Sequence, residues 1–143
     1  MASLNAVHRR MMQLLAEKGG RIDAVFFCPH APEEKCDCRK PLPGLMLQIA
    51  DRYSLDGLLK RVPMVCDTAR DLQAAQAAGC EPHLVRTGRA AVLAPELLAS
   101  WLAGIDNAIV HDDLAAFADF VLHREHAALG VVGEDSRPAP LAK

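Results

Sequence analysis

The stretch that decides the fold is residues 62–85, VPMVCDTARDLQAAQAAGCEPHLV. It holds two short apolar segments, 62–66 and 83–85, which have no helical period and are predicted to be buried strands. Between them, residues 71–78 are rich in alanine and end at Gly79, which is a common helix stop. A strand, a helix and a strand in this order predict two parallel strands joined by a helical crossover.

The rest of the chain alternates in the same way. Apolar residues at helical spacing predict helices, and short apolar runs predict strands. The predicted helices cover residues 3–17, 45–52, 92–103 and 112–122, and the further predicted strands cover 22–27 and 108–110. Asp112 or Asp113 is expected near the N-cap of the last helix. These elements predict one α/β domain over residues 1–132, followed by a tail over 133–143 that we expect to be disordered.

The composition excludes several classes of protein. The 143 residues suit one domain, and a chain that is 51% hydrophobic and 24% charged can build a packed core. A net charge of −2 leaves no general excess of lysine and arginine, so no nucleic-acid partner is expected. The sequence has no apolar run of about 18 residues and no secretory signal pattern. We therefore expect no membrane partner and predict a cytoplasmic location.

Four metal-ligand side chains lie within eleven residues, and they are Cys28, His30, Cys36 and Cys38. In a reducing cytoplasm, such a cluster indicates a metal site rather than a disulfide. Three thiolates and one imidazole make a closed tetrahedral set, which predicts a structural zinc that pins the loop. The alternative is a set of unmetallated thiols in a flexible loop. The two other cysteines, Cys66 and Cys80, are expected to be core or free thiols.

Two cations directly follow this cluster. Arg39 offers a planar fork for a phosphate group, and Lys40 offers a point charge. In parallel sheets, ligands bind beyond the carboxyl ends of the strands. The predicted strand at 22–27 leads into the cluster, so a pinned loop would hold both cations over a pocket at that edge.

Two carboxylates follow the strand at 62–66. Asp67 lies where the strand emerges, and carboxylate oxygens together with phosphate oxygens and water are the ligands that magnesium prefers. Asp71 lies near the start of the next helix. It is either part of the same site or only a negative charge that favours the helix dipole.

Residues 28–44, CPHAPEEKCDCRKPLPG, resemble the zinc loop and the lysine motif of the D,D-heptose 1,7-bisphosphate phosphatases. These belong to the haloacid-dehalogenase-like superfamily and are close to the histidinol-phosphate phosphatases. Residues 67–75, DTARDLQAA, resemble the acidic metal motif of the superfamily. Residues 85–88 and 110–114 resemble sequence motifs that occur later in the chains of the family. The resemblance covers about residues 3–122. It implies a Rossmannoid parallel sheet flanked by helices.

The resemblance also implies a magnesium-dependent phosphomonoesterase that forms an aspartyl phosphate. Carried over by position, Lys40 would steady the phosphoryl charge and Arg39 would help to recognise the substrate. Asp67 would bind magnesium, Thr68 would lie beside the substrate, and Asp71 would support the acidic site. The implied substrate is a heptose bisphosphate of surface-sugar or lipopolysaccharide precursor synthesis. The alternatives are a histidinol-phosphate phosphatase and an inactive, zinc-stabilised module that binds sugar phosphates.

The sequence departs from the family at two points. Cys66 stands where the family usually has glycine, so its side chain could crowd the loop. The nucleophile motif Asp-x-Asp-Gly and the following threonine or serine motif are not found, so the chain is expected to be inactive alone.

The second departure also affects the expected sheet. The family order is 5-4-1-2-3, and the strands predicted here correspond to the third, fourth, fifth and a later small strand. A parallel strand without its neighbour leaves unpaired backbone groups. We therefore expect a shortened or wrongly started enzyme, a repacked sheet, or pairing with a separate fragment. An N-terminally complete form is expected to be a monomer.

Overall fold

The computed structural model describes residues 2–55 and 57–128. In these ranges the helices are α1 (Ala2–Glu17), α2 (Gly44–Arg52), α3 (Ala69–Ala78), α4 (Pro95–Leu102) and α5 (Leu114–Ala128), and the strands are β1 (Pro63–Cys66), β2 (Glu81–Val85) and β3 (Ile109–His111). The tail over 133–143, expected to be disordered, lies outside the described residues. No helix in the described ranges is long and apolar enough to cross a membrane.

The three strands form one parallel sheet in the order β1-β2-β3. Cys66 pairs with Leu84, and Val85 pairs with His111. α3 connects β1 to β2, so the crossover predicted from residues 62–85 is confirmed. Because the strands are parallel, the loops after β1 and β2 emerge at the same edge of the sheet.

α3 packs one apolar side against the sheet. Leu72 and Leu84 are completely buried, and Cys66 and Ala90 complete the cluster. The partly buried side chains that cover this cluster include Trp101 on α4. Burial of one leucine side chain contributes about 1.5–3 kcal/mol, so this cluster fixes α3 on the sheet.

The strand predicted over 22–27 is wrong. These residues form no strand, and the side chains of Ile22, Val25 and Phe27 are 36%, 38% and 41% exposed. A parallel strand needs a neighbour for its backbone hydrogen bonds, and the sheet in the described residues consists of β1, β2 and β3. An apolar run without a partner therefore stays irregular here.

Helix boundaries also differ from the predictions, most of all in α4 and α5. α4 starts at Pro95, three residues later than predicted, and a short 3-10 turn over Gly88–Ala90 precedes it. α5 extends six residues further than predicted. It begins at Leu114, two residues later than predicted. The expected N-cap is confirmed, because the Asp113 carboxylate accepts a hydrogen bond from the Ala116 N–H at 2.8 Å.

A polar network lies inside the sheet layer. His83 Nδ1 lies 2.9 Å from His111 Nε2, and His83 Nε2 lies 3.0 Å from Glu81 Oε1. Arg124 on α5 donates to both Glu81 oxygens, at 2.6 and 2.7 Å. Two aromatic rings of α5 pack against the imidazoles, namely Phe117 and Phe120. The network fastens α5 to β2 and β3.

Candidate active site and metal centre

The predicted zinc ligands converge in the structure. The ligand atoms of Cys28, His30, Cys36 and Cys38 all lie within 4.8 Å of one another. Cys28 Sγ is 3.6 Å from Cys36 Sγ, and His30 Nδ1 is 3.2 Å from Cys38 Sγ. The three cysteines form no disulfide bond. Cys38 is buried, and the other three side chains of the cluster are at least partly exposed. Three sulfurs and one nitrogen at this spacing are a donor set that suits zinc.

The thiols of this cluster do not share one protonation state. The pKa of Cys38 is raised to about 12, first by its hydrogen bond with Cys28 and then by desolvation. Desolvation also raises the pKa of Cys28, but hydrogen bonds from Cys38, His30 and Cys36 outweigh it and lower that pKa to about 6. At neutral pH the cluster therefore carries thiolate charge, which is the form that binds a metal.

The metal-ligand loop is tied to the cations that follow it. Arg39 Nη1 donates a hydrogen bond to the His30 carbonyl at 2.9 Å. The Gly44 N–H, at the start of α2, donates to the Asp37 carbonyl at 3.0 Å. A side chain at Gly44 could not be accommodated, because its Cβ would lie 2.5 Å from the Asp37 carbonyl oxygen. These contacts connect the metal-ligand loop to Arg39 and to the start of α2.

Lys40 reaches across to α3. Its Nζ forms an ion pair with Asp71 Oδ1, and the Asp71 side chain is only 7% exposed. Thr68 is the N-cap of α3, accepts a hydrogen bond from the Asp71 N–H at 3.3 Å, and donates its hydroxyl to Asp71 Oδ2. An ion pair with a half-exposed lysine contributes about 0–1 kcal/mol, so its main consequence is the position of Lys40.

Asp67 is held by the turn after β2. Its Oδ2 accepts a hydrogen bond from the Arg89 N–H at 3.0 Å. Gly88 has a φ of +56°, and a Cβ there would lie 2.2 Å from the same oxygen. Glycine is therefore required at residue 88 on two grounds, its backbone conformation and its contact with Asp67.

These side chains surround one open pocket of about 430 Å³, which we call the Asp67 pocket. Its lining residues are Arg39, Lys40, Asp67, Thr68, Arg70, Asp71 and Arg89. All the predicted catalytic and substrate-binding residues are in this set, so the structure brings them together. The loop reaches the carboxyl end of β1 through Lys40, although the strand that was predicted to carry it there does not form.

The pocket fits one magnesium ion bound by a single carboxylate. Magnesium usually keeps several waters and is held by one or two carboxylates together with substrate phosphates. Asp71 is engaged by Lys40, whereas Asp67 Oδ1 receives no protein hydrogen bond within the described residues. Asp67 is therefore the carboxylate that could hold the ion.

The sequence reasoning missed three residues of this site. Arg70 and Arg89 line the pocket, and Gly88 shapes the Asp67 contact. The signal for Arg89 and Gly88 was their position just after a strand parallel to the one that ends at Asp67. Arg70 carried a weaker signal, since a cation in the first turn of a helix opposes the helix dipole and suggests a ligand.

Cys66 does not crowd the site. Its side chain is buried and donates a hydrogen bond to the His83 carbonyl at 3.3 Å. Burial, followed by the nearby Asp71 charge, raises the pKa of Cys66 to about 12. Cys66 and Cys80 are thus buried free thiols, as predicted.

Comparison with known proteins places this site in a family. The model of the HAD-hydrolase-like family matches residues 37–117. The D-glycero-beta-D-manno-heptose-1,7-bisphosphate 7-phosphatase of Bordetella bronchiseptica is 56% identical over 87 residues, covering 61% of this chain and 48% of that protein. The protein of the same name from Pseudomonas aeruginosa is 39% identical over 122 residues, covering 85% of this chain and 64% of that protein.

A solved structure agrees with these sequences. The D,D-heptose 1,7-bisphosphate phosphatase of B. bronchiseptica, crystallised with magnesium and phosphate, matches with a TM-score of 0.77 and 47% identity. The match covers 87% of this chain and 65% of that one, so the chain spans less than two thirds of the length of these relatives. Because the family model covers more than half of the chain and the structural match is close, the chain belongs to the HAD-hydrolase-like family.

Proposed function

We propose that the chain acts in the magnesium-dependent hydrolysis of a phosphate monoester, with heptose 1,7-bisphosphate as the substrate. The observation that carries this proposal is the Asp67 pocket, in which one carboxylate and one lysine are each held in place by a separate partner. The relatives named for this substrate, and the related structure with magnesium and phosphate, support the choice of substrate and ion.

The site residues predicted from the sequence each have a place in this reaction. Lys40, held by Asp71, would stabilise charge on the phosphoryl oxygens, and Arg39 would bind the substrate through the free part of its guanidinium. Thr68 would lie beside the substrate at the N-terminus of α3. A magnesium ion held by Asp67 would neutralise further phosphoryl charge. Catalysis of this kind consists mainly of positioning and electrostatic stabilisation.

The reaction also needs a carboxylate nucleophile. In the described pocket, Asp71 is paired with Lys40, and we assign Asp67 to magnesium. The sequence contains no Asp-x-Asp-Gly motif. We therefore expect that this chain alone releases no phosphate from heptose bisphosphate above a mock purification.

We assign a structural zinc to the cluster of Cys28, His30, Cys36 and Cys38. Its four donors leave no open position for a substrate. The hydrogen bond from Arg39 to the His30 carbonyl connects this centre to the pocket. Zinc would thus act at a distance, by holding Arg39 and Lys40 in place.

The decisive experiment supplies the nucleophile. An N-terminal extension of about 50–60 residues that bears Asp-x-Asp-Gly and a threonine or serine motif would provide two strand–crossover units, since one such unit takes roughly 30 residues. We expect cooperative unfolding and magnesium-dependent phosphate release from the extended protein. In it, Lys40→Ala should lower turnover about 100-fold or more, because it removes a cation aimed at the phosphoryl group.

Two further variants complete this experiment. Lys60→Ala, an exposed lysine away from the pocket, is the matched control and should leave turnover unchanged. Arg39→Ala should act mainly on discrimination between heptose bisphosphate and histidinol phosphate. If the extended protein folds and binds magnesium, yet Lys40→Ala hydrolyses every tested ester as fast as the parent, the assigned role of the pocket is wrong.

A second candidate function is a non-catalytic module that binds sugar phosphates. The observation in its favour is that both carboxylates of the pocket already have protein partners. Turnover by the extended protein separates the two, because a module would bind phosphate without releasing it. Histidinol phosphate remains the alternative substrate. We further propose a cytoplasmic protein, because its five cysteines form no disulfides, and a monomer for the N-terminally complete form.

A further inference from the structure

Four cationic side chains line the Asp67 pocket, and three of them are held by other protein groups. These three are Arg39, Lys40 and Arg70, whose partners are the His30 carbonyl, the Asp71 carboxylate and the Lys40 carbonyl, respectively. The fourth is Arg89, whose guanidinium forms no hydrogen bond or ion pair within residues 2–55 and 57–128. Arg89 is thus the lining cation that keeps all five of its side-chain donors for a ligand.

The backbone of Arg89 is fixed beside Asp67. Its N–H donates to Asp67 Oδ2 at 3.0 Å, and the preceding Gly88 lies so close to the same oxygen that a Cβ would be 2.2 Å away. The following residue, Ala90, is buried in the apolar cluster under α3. The Arg89 side chain therefore starts from a fixed point, next to the carboxylate that we assign to magnesium.

Arg89 reaches the pocket from a different part of the fold than the other lining residues. Those residues belong to the metal-ligand loop or follow β1, whereas Arg89 follows β2. β1 and β2 are neighbours, so the pocket lies across the ends of both strands. A phosphate group presents several oxygens, and one guanidinium can bind two of them at once. A phosphate in this pocket can therefore be bound from the loop and from β2 together.

We propose that the guanidinium of Arg89 binds the phosphate group that is removed from the substrate, on the side of the pocket next to β2. This inference rests on the proposed function, because it needs the Asp67 pocket to take that phosphate. A cation beside Asp67 attracts a phosphate but repels a divalent metal ion. The affinities for phosphate and for magnesium should therefore respond to the loss of this cation in opposite directions.

The first measurement concerns phosphate. Inorganic phosphate is titrated into the zinc-loaded full chain in the presence of magnesium, and binding is followed by calorimetry. Arg89→Gln should weaken phosphate binding about tenfold or more, because it removes a charge-assisted pair. Arg89→Lys should recover part of the affinity, since it keeps the charge but not the fork. Arg86→Gln is the matched control, because Arg86 is exposed in the same connection but does not line the pocket, and it should bind phosphate as the parent does.

The second measurement concerns magnesium without phosphate, followed through the amide NMR signal of Asp67. Arg89→Gln keeps the backbone N–H that holds the Asp67 carboxylate. Magnesium should therefore bind this variant as tightly as the parent, or up to about threefold more tightly, because a nearby positive charge is gone. If the Arg89 side chain only supported the shape of the turn, magnesium binding would weaken together with phosphate binding.

The possible outcomes distinguish this inference from the proposed function. If Arg89→Gln binds phosphate as tightly as the parent, the inference is wrong and the proposed function stands. The same holds if Arg89→Gln weakens magnesium and phosphate equally, or if Arg86→Gln weakens phosphate as much as Arg89→Gln does. If the parent chain binds no phosphate in the presence of magnesium, the proposed function fails, and this inference fails with it.

Discussion

The loop over residues 28–44 and the strand–helix–strand unit over 62–85 use different means to hold their shape. In the loop, Cys38 and Gly44 are the buried residues, and exposed or half-exposed side chains make up the remainder. In the unit, Leu72 and Leu84 are completely buried, and backbone hydrogen bonds pair β1 with β2. The loop has four converging metal donors where the unit has an apolar core.

This difference shows how the site divides its tasks. The unit contributes Asp67 and Asp71 on a framework that apolar burial stabilises. The loop contributes Arg39 and Lys40, whose positions depend on a few hydrogen bonds and on the donor cluster. Metal removal should therefore weaken phosphate binding without unfolding the sheet, and a core mutation should destabilise the sheet without releasing the metal.

The largest expected effect is the loss of the metal. The purified, reduced chain should carry about one tightly held zinc, since structural zinc binding is worth about 10–16 kcal/mol in small domains. Cys36→Ser should release this zinc and weaken phosphate binding, whereas the urea midpoint of the sheet should change little. Elemental analysis and urea unfolding followed by circular dichroism measure the two effects. Freshly purified protein without zinc would count decisively against the centre.

The converse experiment acts on the core. Leu72→Ala should lower the free energy of unfolding by about 3 kcal/mol, because it removes a completely buried side chain and leaves a cavity. At temperatures where the variant is still folded, its zinc content should match that of the parent. Leu47→Ala, which truncates a leucine that is 51% exposed on α2, is the control. A large loss of zinc from folded Leu72→Ala would show that the two regions are not independent.

A third experiment acts on the turn that holds Asp67, in the pocket that both regions line. Gly88→Ala should displace the Asp67 carboxylate, because its Cβ would lie 2.2 Å from Oδ2. We expect magnesium affinity, measured by titration in the presence of phosphate, to fall about tenfold or more, as expected for a displaced carboxylate ligand. Gly104→Ala is the matched control, since Gly104 also has a positive φ of 78° but no atom within 4 Å of its Cβ. Equal losses in both variants would attribute the effect to backbone strain alone.

The same comparison explains what could be predicted from the sequence. Period and helix-stop signals sufficed for residues 62–85, because β1 and β2 pair with each other within that unit and α3 packs on them. They failed for 22–27, where the apolar run resembles a strand but has no neighbour among the described strands. Strand formation depends on a partner, which local sequence does not specify.

The site shows a similar division. The clustering of Cys28, His30, Cys36 and Cys38 could be predicted because their spacing is local. The placement of Lys40 and Asp67 at one pocket could be predicted because each belongs to a local motif. The pairing of Lys40 with Asp71, and of Asp67 with the Arg89 N–H, joins residues 31 and 22 positions apart along the chain. No local sequence pattern predicts contacts between residues so far apart along the chain. For the same reason the hydrogen bond between His83 and His111 could not be foreseen.

The smallest expected effect concerns this histidine pair, a buried polar contact between β2 and β3. Desolvation lowers the pKa of His83 below its usual 6.5, and the nearby His111 and Arg124 act in the same direction, whereas Glu81 opposes them. The hydrogen bonds are all satisfied with both rings neutral, if His83 donates to Glu81 from Nε2 and His111 donates to His83 Nδ1. The folded protein therefore resists the uptake of a proton by His83.

The sign of the pH dependence follows from this shift. Because the unfolded state binds more protons than the folded state below about pH 6.5, this part of the stability is complete above that pH and is lost as the pH falls toward the lowered pKa of folded His83. The slope contributed by one such histidine is at most about 1.4 kcal/mol per pH unit. Urea unfolding of the parent between pH 7.5 and 5 should thus show falling stability. His83→Gln should have a lower free energy of unfolding at pH 7.5, but this free energy should fall less than that of the parent when the pH is lowered. His126→Gln, at an exposed position on α5, is the control and should show the same pH dependence as the parent. If His83→Gln loses stability as steeply as the parent, another group governs the response to acid, and the network between β2, β3 and α5 serves only to pack them together.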